Sequence, residues 1–386
     1  MLRLLARSCL APSRLWRAAV CVFALGAGVT SAAQGSAAAP PAAPAPAAVA
    51  APPPPKGASG AELYARYCKL CHGPGGKGYA ADNAPSLVSS KFLGSASDEY
   101  IGRGIRFGRP ETSMAAYGKE RGGPLDDTQI VAIVAFLRAK GPAAAALPEQ
   151  PASGDGKRGE ALFAQKCQSC HGTAQAPGKA PQLHNREFLA AASPAFLRRA
   201  IAEGRPPTRM PAFERKLSAS QIDDLVAWLL SQRTAGPAAP PQATGVPANL
   251  PVVIHPHGKP PEFTLRDERF VPAEQVKRAL DEKRKIVIID ARAPSDWIQF
   301  HIPGAISIPY YDAVQLDRVP NDGTWVVAYC ACPHHASGVI VDALRQRKFE
   351  HTAVLDEGIL FWKRAGFSLE GQAAGQPGAA APPPAR

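Results

Sequence analysis

The apolar positions of this 386-residue chain fall into three regimes. Up to about residue 233 they recur three and four apart in short bursts. GAELYARY from Gly60 and GEALFAQK from Gly159 each open as a helix. LDDTQIVAIVAFLRAK from Leu125 and LSASQIDDLVAWLLSQ from Leu217 carry the stripe of an amphipathic helix, and Asp126 and Ser218 stand where capping oxygens belong. From about Glu262 the rhythm changes. A helix-like PAEQVKRALDEKRK leads into the apolar run IVIID at Ile286–Asp290, which reads as a buried strand. Further strands are expected at 305–308, 324–329 and 353–355, with ASGVIVDALRQRKF and ILFWKRAGF as helices. That alternation predicts a parallel α/β sheet. The third regime is Pro and Ala: 34–56, 141–154, 234–261 and 371–386 read as tethers and a tail in which no core can form.

The first residues read as an export leader. Arg3, Arg7, Arg14 and Arg17 precede an apolar run of twelve at 18–29, and small residues follow at 30–33. A membrane span needs about 20 residues, so cleavage near Ala33 is the expectation, with an uncleaved anchor as the alternative and membrane contact only in that case. The expected division is 1–33 leader, 34–56 linker, 57–140 and 155–233 two helical units, 262–370 an α/β domain and 371–386 a disordered tail.

The helical units are copies of each other. CKLCH at Cys68 to His72 and CQSCH at Cys167 to His171 repeat the C-x-x-C-H pattern that attaches c-type haem. Two thiols a turn apart add to the two porphyrin vinyls, and the adjacent imidazole reaches the iron. A haem iron held by one His takes a sixth ligand, and thioether sulfur is common in electron carriers. Met114 and Met210 end GRPETSM and GRPPTRM, which match at Gly, Arg, Pro, Thr and Met and so form part of the same repeat. The offset between copies falls from 99 at the cysteines to 96 at the methionines and 92 at the last helix, as loop deletions produce.

Both units resemble class I c-type cytochromes, in which the first and last helices cross at a Gly and an aromatic residue. Gly60, Tyr64 and Phe136, and Gly159, Phe163 and Trp228, fit those places. The resemblance implies two covalently bound haem c groups, held through Cys68 and Cys71 with His72 and Met114 as iron ligands, and through Cys167 and Cys170 with His171 and Met210. His184 is a weaker competitor for the second iron; with His255, His257 and His351 it is expected on the surface or in loops.

In the α/β segment, VVAY ends on Cys330 before a turn and a helix, a placement in which loop amides and the helix N-terminus stabilise a thiolate. DAR at 290–292, DWIQFHIPGAISIPY from Asp296, VVAYC and DEGILFWKRAGF resemble the rhodanese homology domain. The resemblance implies that Cys330 is a sulfur-accepting nucleophile cycling through a persulfide. The loop CACPHH departs from the family by ending on His335 instead of Arg and by adding Cys332. An active persulfide site, a degenerate binding domain, a Cys330/Cys332 redox couple and a metal site with His334 and His335 all remain open; the phosphatase loop is absent.

The fold class expected is therefore multidomain: two all-α cytochrome c domains, then an α/β rhodanese-like domain with a parallel sheet. Haem attachment and the leader agree on export, and in bacteria on the periplasm. Cys9 and Cys21 leave with the leader and four cysteines are assigned to thioethers, so no disulfide framework remains. The formal charge of +12 falls to about +8 without the four leader arginines, and basic residues are spread without a run. Nucleic acid is not expected as a partner. The expected partners are redox proteins, a cytochrome or an oxidase, together with thiosulfate, a persulfide or another sulfur donor. The expected function is electron carriage, with sulfane sulfur bound or transferred at Cys330 and its electrons fed to the haems. The alternative is a pure carrier whose last domain docks or senses.

Overall fold

The computed structural model describes the backbone at 48–49 and residues 57–79, 84–176, 178–206, 208–234, 245–331 and 334–374. The expected leader, most of the first tether, Cys332 and the tail beyond 374 lie outside the described residues. Each helical unit runs through one plan. The first has α1 (Gly60–Tyr67), α2 (Lys69–His72), α3 (Ser90–Leu93), α4 (Asp98–Phe107) and α5 (Asp127–Arg138); the second has α6 (Gly156–Lys166), α7 (Gln168–His171), α8 (Arg186–Ala191), α9 (Pro194–Glu203) and α10 (Ala219–Ser231). The expected caps form boxes: Asp126 accepts from the Gln129 N–H, and Ser218 from that of Gln221.

First and last helices touch backbone to backbone. A Cβ added to Gly60 would lie 2.0 Å from the Ala132 carbonyl oxygen, and one added to Gly159 would lie 2.0 Å from that of Asp224. Beside each contact the aromatic pair closes the crossing, Tyr64 on Phe136 at 5.1 Å and Phe163 on Trp228 at 4.4 Å. An arginine at or just past the end of each last helix repeats too: Arg138 donates to the carbonyls of Leu93 and Ala96, and Arg233 to those of Leu189 and Ala192. α4 and α9 were not foreseen. The glycines of DEYIGRGIRF mask the helical stripe of α4, which instead relies on Ser97 accepting from the Tyr100 N–H.

The two units share one apolar core. Tyr100 stacks on Phe196 at 4.5 Å, Lys91 pairs with Glu203 at 2.7 Å, and the buried Glu187 lies between Arg103 and Arg121 at 3.6 and 3.7 Å. The 141–154 segment is strapped down, with Arg198 donating to the carbonyls of Gln150 and Pro151.

β1 (Ala48–Val49) pairs antiparallel with β2 (Val246–Pro247). The last domain holds β3 (Phe270–Val271), α11 (Ala273–Asp281), β4 (Ile286–Asp290), α12 (Pro294–Gln299), β5 (Ile306–Ser307), β6 (Trp325–Tyr329), α13 (His335–Gln346), β7 (Thr352–Leu355) and α14 (Gly358–Arg364). Its strands run in the order β3-β7-β6-β4-β5, all parallel. β4 and β6 sit centrally, buried on both faces, which is why they read as unbroken apolar runs. β3 is two residues at the edge, too short to leave a pattern. The expected 234–261 linker belongs to this domain from Val246 onward. Ile254 exchanges both backbone hydrogen bonds with Ile286 (2.8 and 3.1 Å), because Leu250, Val252, Val253 and Ile254 need covering as much as the sheet does.

Candidate haem-attachment turns and the Cys330 loop

In each unit the C-x-x-C-H segment is a single helical turn whose form is dictated by its ends. Cys68 and Cys167 leave the first helix with φ near −120° (−118° and −120°), and each turn stops at a glycine with positive φ, Gly73 at 76° and Gly172 at 70°. The His72 and His171 amides close the turns onto the Cys68 and Cys167 carbonyls at 2.9 and 3.0 Å. Both imidazoles are buried, and each donates from Nδ1 to a proline carbonyl, His72 to Pro85 at 2.9 Å and His171 to Pro181 at 2.8 Å. A carbonyl only accepts, so the proton sits on Nδ1 and the Nε2 lone pair is free for a metal. Burial lowers both imidazole pKa values, which keeps them neutral. It pushes the Cys68 thiol up to about 12 and the Cys167 thiol up to about 11.

The methionine loops are superposable in their bonding. Arg109 N–H donates to the Met114 carbonyl at 2.7 Å and Arg205 N–H to that of Met210 at 3.1 Å; the amides of Met114 and Met210 each donate to the threonine two residues back, Oγ1 of Thr112 and Thr208, at 3.1 Å. Gly108 and Gly204 enter these loops at φ 63° and 64°, with no room for a Cβ against Ala115 and Pro211. Met114 packs against the same core as Cys68 and Cys167. Two thiols, a neutral imidazole with its outer nitrogen free and a loop-held thioether form a donor set that fits haem c. His184 lies in the loop before α8, as expected of a surface or loop residue, but is drawn inward: it stands edge-on to Phe163 and Trp228 at 5.4 and 5.3 Å, and both ring nitrogens are buried without a partner. The apolar rings of the crossing draw it in.

Cys330 closes β6 and is 2% exposed. Its carbonyl accepts from the Ile359 amide at the start of α14, and its Sγ lies 3.3 Å from the Ser337 hydroxyl, itself wholly buried in the first turn of α13. Ser337 was not foreseen; its only signature was a small polar residue seven positions on. Beneath the loop, Arg292 grips Asp290 through Nε and Nη2 at 2.9 and 2.7 Å, and Tyr329 donates to Asp290 at 2.9 Å, tying the ends of β4 and β6 together. His334 adopts φ 90°, lies 4.1 Å from the Phe270 ring and donates from Nε2 to Asp356 at 2.8 Å. Arg266, then His334, holds the Asp356 carboxyl below the usual range. Among the described residues no cluster of His, Cys, Asp and Glu forms a metal site.

The two candidate sites adjoin through α13. α13, which starts at the end of the Cys330 loop, packs against α2, the first attachment turn. Tyr310 donates to the Tyr67 carbonyl at 2.8 Å, Tyr311 stands edge-on to Tyr67 at 4.8 Å, and Tyr117 is hydrogen-bonded to Tyr310. Ser295 donates to the Ala116 carbonyl at 2.6 Å, and Lys363 pairs with Glu111 at 2.7 Å.

Residues 55–137 and 154–229 match the family model of the cbb3-type cytochrome c oxidase subunit III, and residues 272–365 match that of the rhodanese-like domain. This chain carries c-type cytochrome domains followed by a rhodanese-like domain. Such cytochrome domains imply covalently bound haem c. The chain is similar to the cbb3-type cytochrome c oxidase subunit FixP of Bradyrhizobium diazoefficiens, 29% identical over 184 residues, 45% of this chain and 60% of that protein. It spans about 60% of the length of the FixP relatives it matches. A segment is 44% identical over 71 residues to the dihydro-heme d1 dehydrogenase of Pseudomonas aeruginosa, covering 18% of this chain and 14% of that one. Among solved structures, the rhodanese-like domain of an Anabaena protein aligns over 30% of this chain and 88% of its own at 26% identity and a TM-score of 0.26. Among the described residues no helix is long and apolar enough to cross a membrane.

Proposed function

We propose that this protein is an exported dihaem electron carrier whose rhodanese-like domain takes up sulfane sulfur at Cys330 and delivers the electrons of its oxidation to the cytochrome units. The observation that carries the reading is the seating of the Cys330 domain on the first unit, with α13 against the Cys68–His72 turn, Tyr310 on Tyr67 and Ser295 on Ala116. Cys68, Cys71, Cys167 and Cys170 would hold the two groups covalently, and His72, Met114, His171 and Met210 would ligate the irons. When bound, each haem supplies a one-electron acceptor whose potential the thioether ligand raises.

The chain's own part is at sulfur. The Cys330 thiolate, favoured by the Ser337 hydroxyl and the start of α13, attacks the outer sulfur of thiosulfate; the new S–S bond forms as sulfite leaves. Joining the Cys330 persulfide anion to a thiolate such as that of glutathione, to give a trisulfide, is a two-electron oxidation; the two one-electron acceptors it needs would be supplied by the groups held at Cys68–His72 and Cys167–His171. The FixP likeness supports an oxidase component or another cytochrome as the eventual acceptor. The leader at 1–33 supports a periplasmic location, with an anchor if it is retained. The second reading is a carrier with a docking or sensing domain, favoured by a loop that ends on His335 in place of Arg.

The test is the haem α-band of oxidised holoprotein after thiosulfate or glutathione persulfide is added. Reduction in the native protein and none in Cys330→Ser is the expected result. Equal behaviour in both establishes the second reading.

A further inference from the structure

Taking both attachment turns as haem-bearing, as in the reading above, the structure assigns them different duties. The first turn is partly covered: Cys68, Leu70 and Cys71 are half-buried, while Lys69 is exposed. Tyr67 is 2% exposed beneath Tyr311, Tyr310 and Tyr117 gather beside Cys68, and α13 lies along α2. The second turn has the same backbone and no such cover. Gln168, Ser169 and Cys170 are all exposed.

Both turns have basic neighbours, Arg66, Lys69 and Lys77 about the first and Lys166, Lys179 and Arg186 about the second, so cover and not charge separates them. From Ala161 to Arg186 the chain holds Lys166, Lys179 and Arg186 and no acidic residue. The neighbouring Met210 loop adds exposed Arg209, Arg215 and Lys216 against a lone Glu214. Lys166 and Lys179 are exposed and flank the turn on both sides. A basic rim around an uncovered turn steers an approaching acidic surface and is sensitive to salt.

We propose that the first unit receives electrons only from within the molecule, and that the Cys167–His171 turn is the port where an acidic one-electron acceptor protein docks. One electron leaves the second unit per encounter and the acceptor is reduced by one; no bond is made or broken. The rhodanese-like domain is thereby a cover that forces external traffic through the second unit.

The experiment begins with a pyridine haemochrome count of two haems per chain, so that a failure of the two-haem reading is recognised separately. Pre-reduced holoprotein is then mixed at low ionic strength with oxidised plastocyanin as the acidic acceptor. Lys166→Glu with Lys179→Glu is expected to slow the bimolecular step at least tenfold, with the difference shrinking as salt is added. Lys77→Glu with Lys119→Glu, exposed on the first unit, is expected to change it less than twofold. Hydrogen exchange with redox-inactive, cadmium-substituted plastocyanin is expected to show protection over 166–179 and none over 68–78. A loss at the first pair as large as at the second, no loss at either, or protection confined to another surface overturns the proposal.

Discussion

Gly159→Ala tests the crossing that holds the second unit together. The new methyl would sit 2.0 Å from the Asp224 carbonyl oxygen, 2.6 Å from its carbon and 2.8 Å from the Trp228 Cβ. These are backbone and near-backbone atoms, so no side-chain rotation relieves the clash; α6 and α10 must separate by roughly 1 Å. Overpacking of this kind costs about 3 kcal/mol at the upper end of its usual range, while alanine in a helix returns up to about 1 kcal/mol. The net loss is about 2 kcal/mol, or roughly 4–8 °C in Tm for a body of this size. Gly156→Ala, one turn earlier on the same helix, meets nothing nearer than the Trp228 Cα at 3.9 Å; it should be neutral or stabilise by up to about 1 kcal/mol. Thermal unfolding of both holoproteins, followed by far-ultraviolet circular dichroism, gives the comparison. Midpoints within 1 °C of each other would refute a crossing at residue 159.

Gly60→Ala repeats the same clash against Ala132 and is expected to lower Tm to a similar extent. Burial pushes Asp296 up to about 6, with Arg292 opposing and Asp290 and Glu111 adding to the rise. Folding therefore holds a proton there that the unfolded chain loses at its ordinary 3.8, so this contribution is full below pH 3.8 and fades as pH rises through 6, by roughly 3 kcal/mol in all; denaturant midpoints at pH 4.5 and 7 should converge in Asp296→Asn. Ser337→Ala in a Cys332→Ser background is expected to slow alkylation of Cys330 by iodoacetamide at pH 7 by roughly tenfold, since a hydrogen bond to a charged partner contributes about 1.5–3 kcal/mol; an unchanged rate would remove Ser337 from the site. Tyr310→Phe leaves the packing but deletes the bond to the Tyr67 carbonyl, at a cost of about 1 kcal/mol. Faster hydrogen exchange over residues 67–73, and not over 167–172, is the expected readout.

The two C-x-x-C-H turns and the matching methionine loops were legible as a repeat because the pattern is local: five consecutive residues and a loop methionine, twice. Long helices with clean stripes were legible too, as were β4 and β6, whose burial on both faces writes itself as an apolar run. What escaped depends on tertiary partners. α4 carries two glycines, β3 is two residues long, and the segment from Val246 looked like a tether because its proline content hides four apolar residues that the sheet covers. The placement of His184 and Ser337 depends on rings and sulfur brought from elsewhere in the chain. The seating of the last domain on the first unit could not be read from pattern, because tyrosines 67, 117, 310 and 311 are ordinary core residues until the fold brings them together.

That seating also constrains how the protein can be made. The residues packed on the Cys68–His72 turn and on Tyr67 before it, Tyr310, Tyr311 and α13, come more than 200 positions later in the chain. A chain emerging from its N-terminus therefore presents Cys68 and Cys71 to an attachment machinery before their cover exists. With haem attached there as proposed, domain order would act as a maturation clock, and a permuted chain with the rhodanese-like domain first would shut the first turn before it could be loaded.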